Sequence, residues 1–234
     1  MNSIRENIQQ IRAKMDAAAL AAGRDPKEIL LCAASKMNDA ERVQEAVRGG
    51  VDCCGENRVQ ELTEKQPKGA YTGKPVHFIG HLQTNKVRQL VGKVAMIESV
   101  DTERLLELID RESERAGVVS RVLMQVHVAR EETKFGFYPE ELLEYFRLRK
   151  FEQLRAVHIC GVMGMASNTD DRARVAKDFA DIAAVYRAIR DDESLGLRGF
   201  DTLSMGMSGD WPLAVEHGSN LVRVGTAIFG PRQY

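Results

Sequence analysis

Hydrophobic positions along this chain change their spacing many times, and each change marks an element. Ile4, Ile8, Ile11, Met15 and Ala18 recur at steps of three and four, which predicts an amphipathic helix from Ile4 to Ala22 closed by Gly23. After Pro26, the run Ile29 to Ser35 is almost wholly apolar, the pattern of a strand buried on both faces as parallel sheets require. Lys36 stands where that run ends. The alternation then repeats. Strand patterns fall at Val51–Gly55, Pro75–Ile79, Val94–Val100, Arg121–Val128, Ala156–Val162, Thr202–Ser204 and Leu221–Val224. Helical patterns fall between them, at about Asp39–Arg48, Arg58–Lys65, Asn85–Val91, from Asp101 or Thr102 to Ala116, from Pro139 onward, and at Asp170–Arg190 and Asp210–His217. Gly49-Gly50 and Gly117 stop two of these helices.

Uninterrupted βα alternation with one extra helix in front predicts an α/β fold, a single (β/α)8 TIM barrel carrying an additional N-terminal helix. An open, doubly wound sheet is the alternative. No stretch is rich in Pro, Gly and Ser together, so residues 1–234 are expected to form one domain.

Composition narrows the function classes. The hydrophobic fraction is 44% and the charged fraction 29%, which describes an ordinary globular chain able to bury a core. Net charge is −1, from 33 basic and 34 acidic residues, so there is no global pull toward nucleic acid or an anionic membrane. Recognition of phosphate must therefore be local. No apolar run approaches the ~20 residues needed to span a bilayer, and charges interrupt the first helix, unlike a signal peptide. A cytoplasmic protein is expected. Cys32, Cys53, Cys54 and Cys160 form no C-x-x-C pair and have apolar neighbours, the setting of buried reduced thiols. No metal site is expected. His77 lies in a strand and His81 in the following loop, so they share no helix face, while His127 and His158 read as interior residues. The Gly69 to Lys74 stretch has the wrong spacing for a phosphate loop and lacks the hydroxyl residue for magnesium.

Lys36 carries the first chemical signal. Catalytic groups of barrels gather at the carboxyl ends of strands, and a lysine above apolar residues loses charge easily, exposing the neutral amine that condenses with an aldehyde. Position alone also fits a lysine that merely snorkels to solvent. The C-terminal stretch shifts the balance. Ser204-Met205-Gly206-Met207-Ser208-Gly209-Asp210-Trp211 leads from the seventh strand into a helix, and Val222-Arg223-Val224-Gly225-Thr226 ends the eighth. Barrels often bind phosphate at these two loops, where backbone amides and hydroxyls converge on an anion. Each loop alone would fit an ordinary turn. Glu56-Asn57-Arg58 and Gln83-Thr84-Asn85-Lys86 place polar groups on the same rim, as border of the site or as helix caps.

Together these segments resemble the pyridoxal phosphate homeostasis protein family, whose members share an alanine-racemase-like N-terminal barrel. The matching runs are Ser35-Lys36, Gly55 to Glu61, His77 to Lys86, Lys134-Phe135-Gly136, Gly161 to Met165, Leu203 to Asp210 and Val222 to Gly230, in order and across almost the whole chain. The resemblance implies pyridoxal 5′-phosphate held as a Schiff base on Lys36. Ser204, Ser208, Gly225 and Thr226 would contact phosphate, Arg223 would face the pyridine nitrogen, and Asn57, Met205 and His81 would line or border the pocket. Two departures stand out. Met37-Asn38 follows Lys36 where relatives often have Thr and later Pro, and Cys53-Cys54 replaces the aromatic that commonly precedes Gly-Glu-Asn. Both touch the pocket wall without removing a cofactor-binding group.

An arginine at the ring nitrogen donates a hydrogen bond but does not readily hand over a proton, which leaves the ring a weak electron sink. Related racemases add a second base from a further C-terminal domain. This chain ends at Tyr234, a poor substitute, so that domain is expected to be absent. The resemblance thus implies a carrier in vitamin B6 homeostasis, without turnover of its own, and a barrel that needs no partner to bury its core is expected to be a monomer. It would bind pyridoxal phosphate and other B6 vitamers, and touch pyridoxal-phosphate-dependent apo-enzymes transiently. The alternatives are a racemase-like enzyme acting on amino acids and a class I aldolase using Lys36 on a sugar phosphate.

Overall fold

Parallel pairing decides the architecture, because consecutive strands here lie side by side, and the first with the second, the second with the third, the fourth with the fifth, the fifth with the sixth, the sixth with the seventh and the eighth with the first all run in the same direction. The structure, a computed structural model, describes residues 3–129 and 135–231. Its strands are β1 (Leu30–Ala34), β2 (Cys53–Glu56), β3 (Val76–Phe78), β4 (Met96–Val100), β5 (Ser120–Val126), β6 (Val157–Gly164), β7 (Thr202–Ser204) and β8 (Leu221–Val224). They follow one another in sequence order as a closed barrel. The helices are α1 (Ile4–Ala21), α2 (Ala40–Gly49), α3 (Val59–Lys65), α4 (Val87–Leu90), α5 (Glu103–Ala116), α6 (Pro139–Arg147), α7 (Arg172–Arg190), α8 (Trp211–Glu216) and α9 (Thr226–Phe229). The closed barrel excludes the open doubly wound sheet. Among the described residues no helix is long and apolar enough to cross a membrane.

The chain divides into two compact units, one up to Ile79 together with Met205 onward, the other Gly80–Ser204. In the first, α1 is the extra helix. Ser3 and Glu6 close a capping box at its start, and Ile4, Ile8, Ile11, Met15 and Ala19 form its buried stripe. It lies tight on α2: a Cβ on Gly49 would sit 2.7 Å from Ile8 Cδ1. Arg12 reaches Asp52 at 2.6 Å, and the same carboxylate accepts from the Leu31 amide at 2.7 Å, so α1 also steadies the entry into β1. Asp39 caps α2, and Gly50 ends it in the left-handed region at φ 98.

In the second unit, Thr102 rather than Asp101 caps α5, accepting from Leu105 N at 3.2 Å. Pro139 opens α6, and Asp171 caps α7 by accepting from Ala173 and Arg174 amides. A sulfur-rich core of Met96, Leu123, Cys160 and Met163 fills the space between strands. β6 contains a bulge. Val122 pairs with Ile159 but Leu123 pairs with Gly161, so Cys160 is the extra residue. Gly161 takes φ 150, and a Cβ there would stand 1.8 Å from the Thr202 carbonyl oxygen. The bulge thus lets β7 approach where no side chain fits.

All four cysteines are buried, in agreement with the inert reading. Burial above all, then Cys32 and Glu56, pushes the Cys54 thiol up to about 12. His158 departs from the interior expectation: it stands exposed near the start of β6. α9 was not foreseen, since four residues are too few to show a period.

Gly161→Ala is expected to destabilise the protein by about 2–4 kcal/mol, through strained backbone and forced separation of β6 from β7. An unchanged midpoint in urea denaturation would contradict this account of the bulge.

Candidate functional site

Lys36 lies two residues beyond Ala34, the last residue of β1, and is half-buried. The polypeptide turns sharply there: Asn38 N donates to Ser35 O at 3.2 Å, and Asn38 Nδ2 donates to Lys36 O at 3.0 Å. Met37 sits at φ 61, a left-handed conformation uncommon outside glycine. The sequence predicts an apolar floor beneath this turn, but the floor is polar. Glu56, fully buried at the end of β2, accepts on Oε1 from Ser35 Oγ at 2.6 Å, Tyr71 OH at 2.9 Å and Lys65 Nζ at 2.9 Å. Lys65 also donates to Ser35 O and to Glu61 Oε2, each at 2.9 Å. Glu61 Oε2 in turn accepts from the Met37 amide at 2.7 Å. Burial would raise the Glu61 carboxyl, but the Met37 amide, the Lys65 ammonium and nearby Arg58 together hold it below its ordinary value. Burial first, then the Glu56 carboxylate, pushes the Tyr71 phenol far up, so it remains a donor.

The loops after β7 and β8 meet each other in the same unit. Ser208 Oγ accepts from the Gly225 amide at 3.1 Å and from the Ala227 amide at 3.4 Å. A serine oxygen therefore occupies the acceptor position in front of two converging amides, the place a phosphate oxygen suits. The exposed Thr226 hydroxyl lies between those amides in sequence. Gly225 also packs against the end of β1: a Cβ there would lie 3.2 Å from Ala34 O and 3.4 Å from Ala34 Cβ. This contact sets Gly225 against the residue that stands two before Lys36 in sequence. Asp210 does not cap α8 with its side chain; its Oδ1 accepts from Met207 N at 2.6 Å and closes the loop. Gly206, at φ 91, lets that loop lie on Trp211, whose Cα would be 2.7 Å from an added Cβ.

Three more expected residues belong to this unit. Arg223 is buried in β8, opposite Cys32 of β1, and its amide donates to Gly206 O at 3.0 Å. Met205 is fully buried; its amide donates to Leu221 O at 3.2 Å and to Ser219 Oγ at 3.1 Å. Asn57 follows β2, and its buried Oδ1 has no hydrogen-bond partner among the described residues. Such an orphaned acceptor is rare and marks a place where a further donor fits.

Ser204 and His81 belong to the second unit. Ser204 is fully buried and its hydroxyl donates to Glu98 Oε2 at 2.6 Å. With its proton so directed, its oxygen offers lone pairs rather than a donor to an anion. His81 pairs through Nδ1 with buried Asp101 Oδ2 at 2.8 Å and stacks on Phe135, ring centroids 3.7 Å apart. Lys134 of the Lys-Phe-Gly run and Tyr234 lie outside the described residues. Among those described, no group of three His, Cys, Asp or Glu is arranged to hold a metal ion. Sequence reasoning missed Lys65, Glu61, Tyr71 and Glu98. Glu61 and Lys65 are four apart and look like an ordinary surface helix pair.

The profile of the family described as "Alanine racemase, N-terminal domain" matches residues 1–233. A Pseudomonas aeruginosa protein named "Pyridoxal phosphate homeostasis protein" is 37% identical over 234 residues, covering 100% of this chain and 98% of the relative. An Aquifex aeolicus protein of the same name is 34% identical, covering 98% of each. PipY of Synechococcus elongatus, solved with PLP bound, superposes with a TM-score of 0.84 at 32% identity, over 97% of this chain and 100% of PipY.

The low carboxyl of Glu61 has a signed consequence. Its grip on the Met37 amide contributes fully above the ordinary carboxylate value of about 4.3, and is lost as pH falls through the lower folded value. Hydrogen exchange at Met37 should therefore stay slow from neutral pH down to that range and quicken only below it, beyond the intrinsic pH trend. In Glu61→Gln the protection should carry no such step.

Proposed function

Because this chain belongs to the alanine racemase N-terminal-domain family, among the pyridoxal phosphate homeostasis proteins, we propose that it binds pyridoxal 5′-phosphate and serves in the homeostasis of that cofactor. One observation carries the reading furthest: Gly225, whose amide faces Ser208 together with that of Ala227, is packed against Ala34, the end of β1 two residues before Lys36. A phosphate group and an amine-reactive aldehyde belong to the same small molecule, and this arrangement offers a receptor for each.

In this proposal the amides of Gly225 and Ala227 and the hydroxyls of Ser208 and Thr226 hold phosphate, with the Ser208 proton turned toward the anion. The resemblance also implies Ser204 as a phosphate contact; its hydroxyl donates to Glu98 within its own unit. Lys36 supplies the amine for a Schiff base, which is the chemistry the bound cofactor adds to the site. Arg223 serves the ring nitrogen, and the orphaned Oδ1 of Asn57 gives the pocket an acceptor on the side of β2. Met205 keeps its fully buried place beside Ser219 as part of the wall. His81, oriented by Asp101, stands as a border residue of its own unit. A guanidinium at the ring nitrogen favours retention over carbanion chemistry, because it keeps its protons. We therefore favour a carrier that holds the cofactor reversibly within a single-domain barrel and yields it to apo-enzymes that need it.

Purified protein mixed with pyridoxal phosphate should develop a visible absorbance band that borohydride abolishes, with a pyridoxyl-phosphate adduct on the Lys36 peptide by mass spectrometry. Lys36→Ala should lose the adduct. No band in the wild-type chain would defeat the reading. Sustained exchange of the α-proton of alanine, lost in Lys36→Ala, would favour the racemase-like alternative instead. Ser208→Ala should weaken inorganic phosphate binding roughly tenfold, the scale of one hydrogen bond to a charged group.

A further inference from the structure

Lys36 is flanked by two main-chain groups that are bound to the two ends of one ion pair. On one side the Ser35 carbonyl accepts from Lys65 Nζ at 2.9 Å; on the other the Met37 amide donates to Glu61 Oε2 at 2.7 Å. Lys65 and Glu61 are themselves joined at 2.9 Å, one turn apart on α3. The residue that carries the amine is thus strung across a rigid bracket. Glu56 makes the bracket immobile, since its buried carboxylate accepts from Lys65 and from the Ser35 hydroxyl at once. The Met37 backbone pays for this with a conformation that disfavours a side chain by about 1–2 kcal/mol, and the Glu61 bond holds it there.

We infer that Glu61 and Lys65 are positioning residues for the Lys36 amine, fixing the root of its side chain relative to the phosphate-binding amides. The inference rests on the reading of Lys36 as the cofactor's anchor. Phosphate held at Gly225 and Ala227 sets where the aldehyde end of the same molecule lies. A lysine has four methylene groups between its backbone and its amine, so the amine arrives reliably only if the backbone does not wander. Misplacement of a reacting group by about 1 Å can slow a reaction by on the order of a hundredfold. An ion pair that served stability alone would have no reason to spend both partners on the main chain either side of one residue. Cys32, Cys54, Arg58, Tyr71 and Lys74 are further charged and titratable groups of its surroundings.

Glu61→Ala tests this, because it releases the Met37 amide while leaving Lys65 on Glu56 and Ser35. Glu61→Gln is the conservative partner, retaining an oxygen at the acceptor position. Three quantities are read on the full chain: melting temperature, affinity for inorganic phosphate, and the rate at which pyridoxal phosphate forms a borohydride-trappable adduct on Lys36. The expected result is adduct formation slowed roughly ten- to hundredfold in Glu61→Ala, unchanged phosphate affinity, and recovery of most of the rate in Glu61→Gln. If Glu61→Ala does not fold, Glu61→Asp takes its place, keeping the charge near Lys65 while withdrawing the carboxylate from Met37. A wild-type rate in the variant overturns the inference, as does a loss of phosphate affinity in parallel with the rate. A wild-type chain that forms no adduct on Lys36 overturns the cofactor reading itself, and this inference falls with it.

Discussion

Glu56 keeps a carboxylate wholly out of water at the end of β2, and the surrounding chain is arranged to make that tolerable. Three donors, from Ser35, Lys65 and Tyr71, converge on Oε1, while Oε2 finds no hydrogen-bond partner among the described residues. Removing one partner of a buried ion pair costs about 3–5 kcal/mol, because the remaining charge is left uncompensated. These bonds weld together four pieces of chain: the residue after β1, the end of β2, the last turn of α3 and the segment that carries Tyr71. The hydroxyl and carbonyl of Ser35 are both drawn into the weld. The polar floor under Lys36 is thus an element of construction.

The second constraint is steric and lies between strands. Gly225 sits against Ala34, and Gly161 against Thr202, at separations where a methyl group would be too near or would collide outright. The first contact brings the loop after β8 onto the strand that precedes Lys36. The second, by way of the bulge at Cys160, draws β7 onto β6. Backbone proximity of this kind needs glycine and little else.

Much of the fold was legible because its signals are local and repeated. The β1 run and the stops at Gly50 and Gly117 are read from neighbours in sequence. Boundaries moved by a residue or two, and α9 was too short to show a period. The site was legible in part: Lys36, Ser208 and Gly225 stand where barrel geometry puts chemistry, and two of the three touch through HN–O contact. The lower tier was not. Lys65 reads as a solvated helix end, and Glu98 sits in a strand pattern that says nothing about Ser204, 106 residues away. Pairings across such distances follow from closure of the barrel, which no local period encodes. Asp101 illustrates the same limit: it looks like a helix cap, and Thr102 takes that task while Asp101 holds His81.

The serine oxygen in front of the Gly225 and Ala227 amides fastens the loop after β7 to the start of α9. Because both amides donate to one hydroxyl, each segment holds the other in shape. Such a clasp makes two stretches 17 residues apart in sequence behave as one piece.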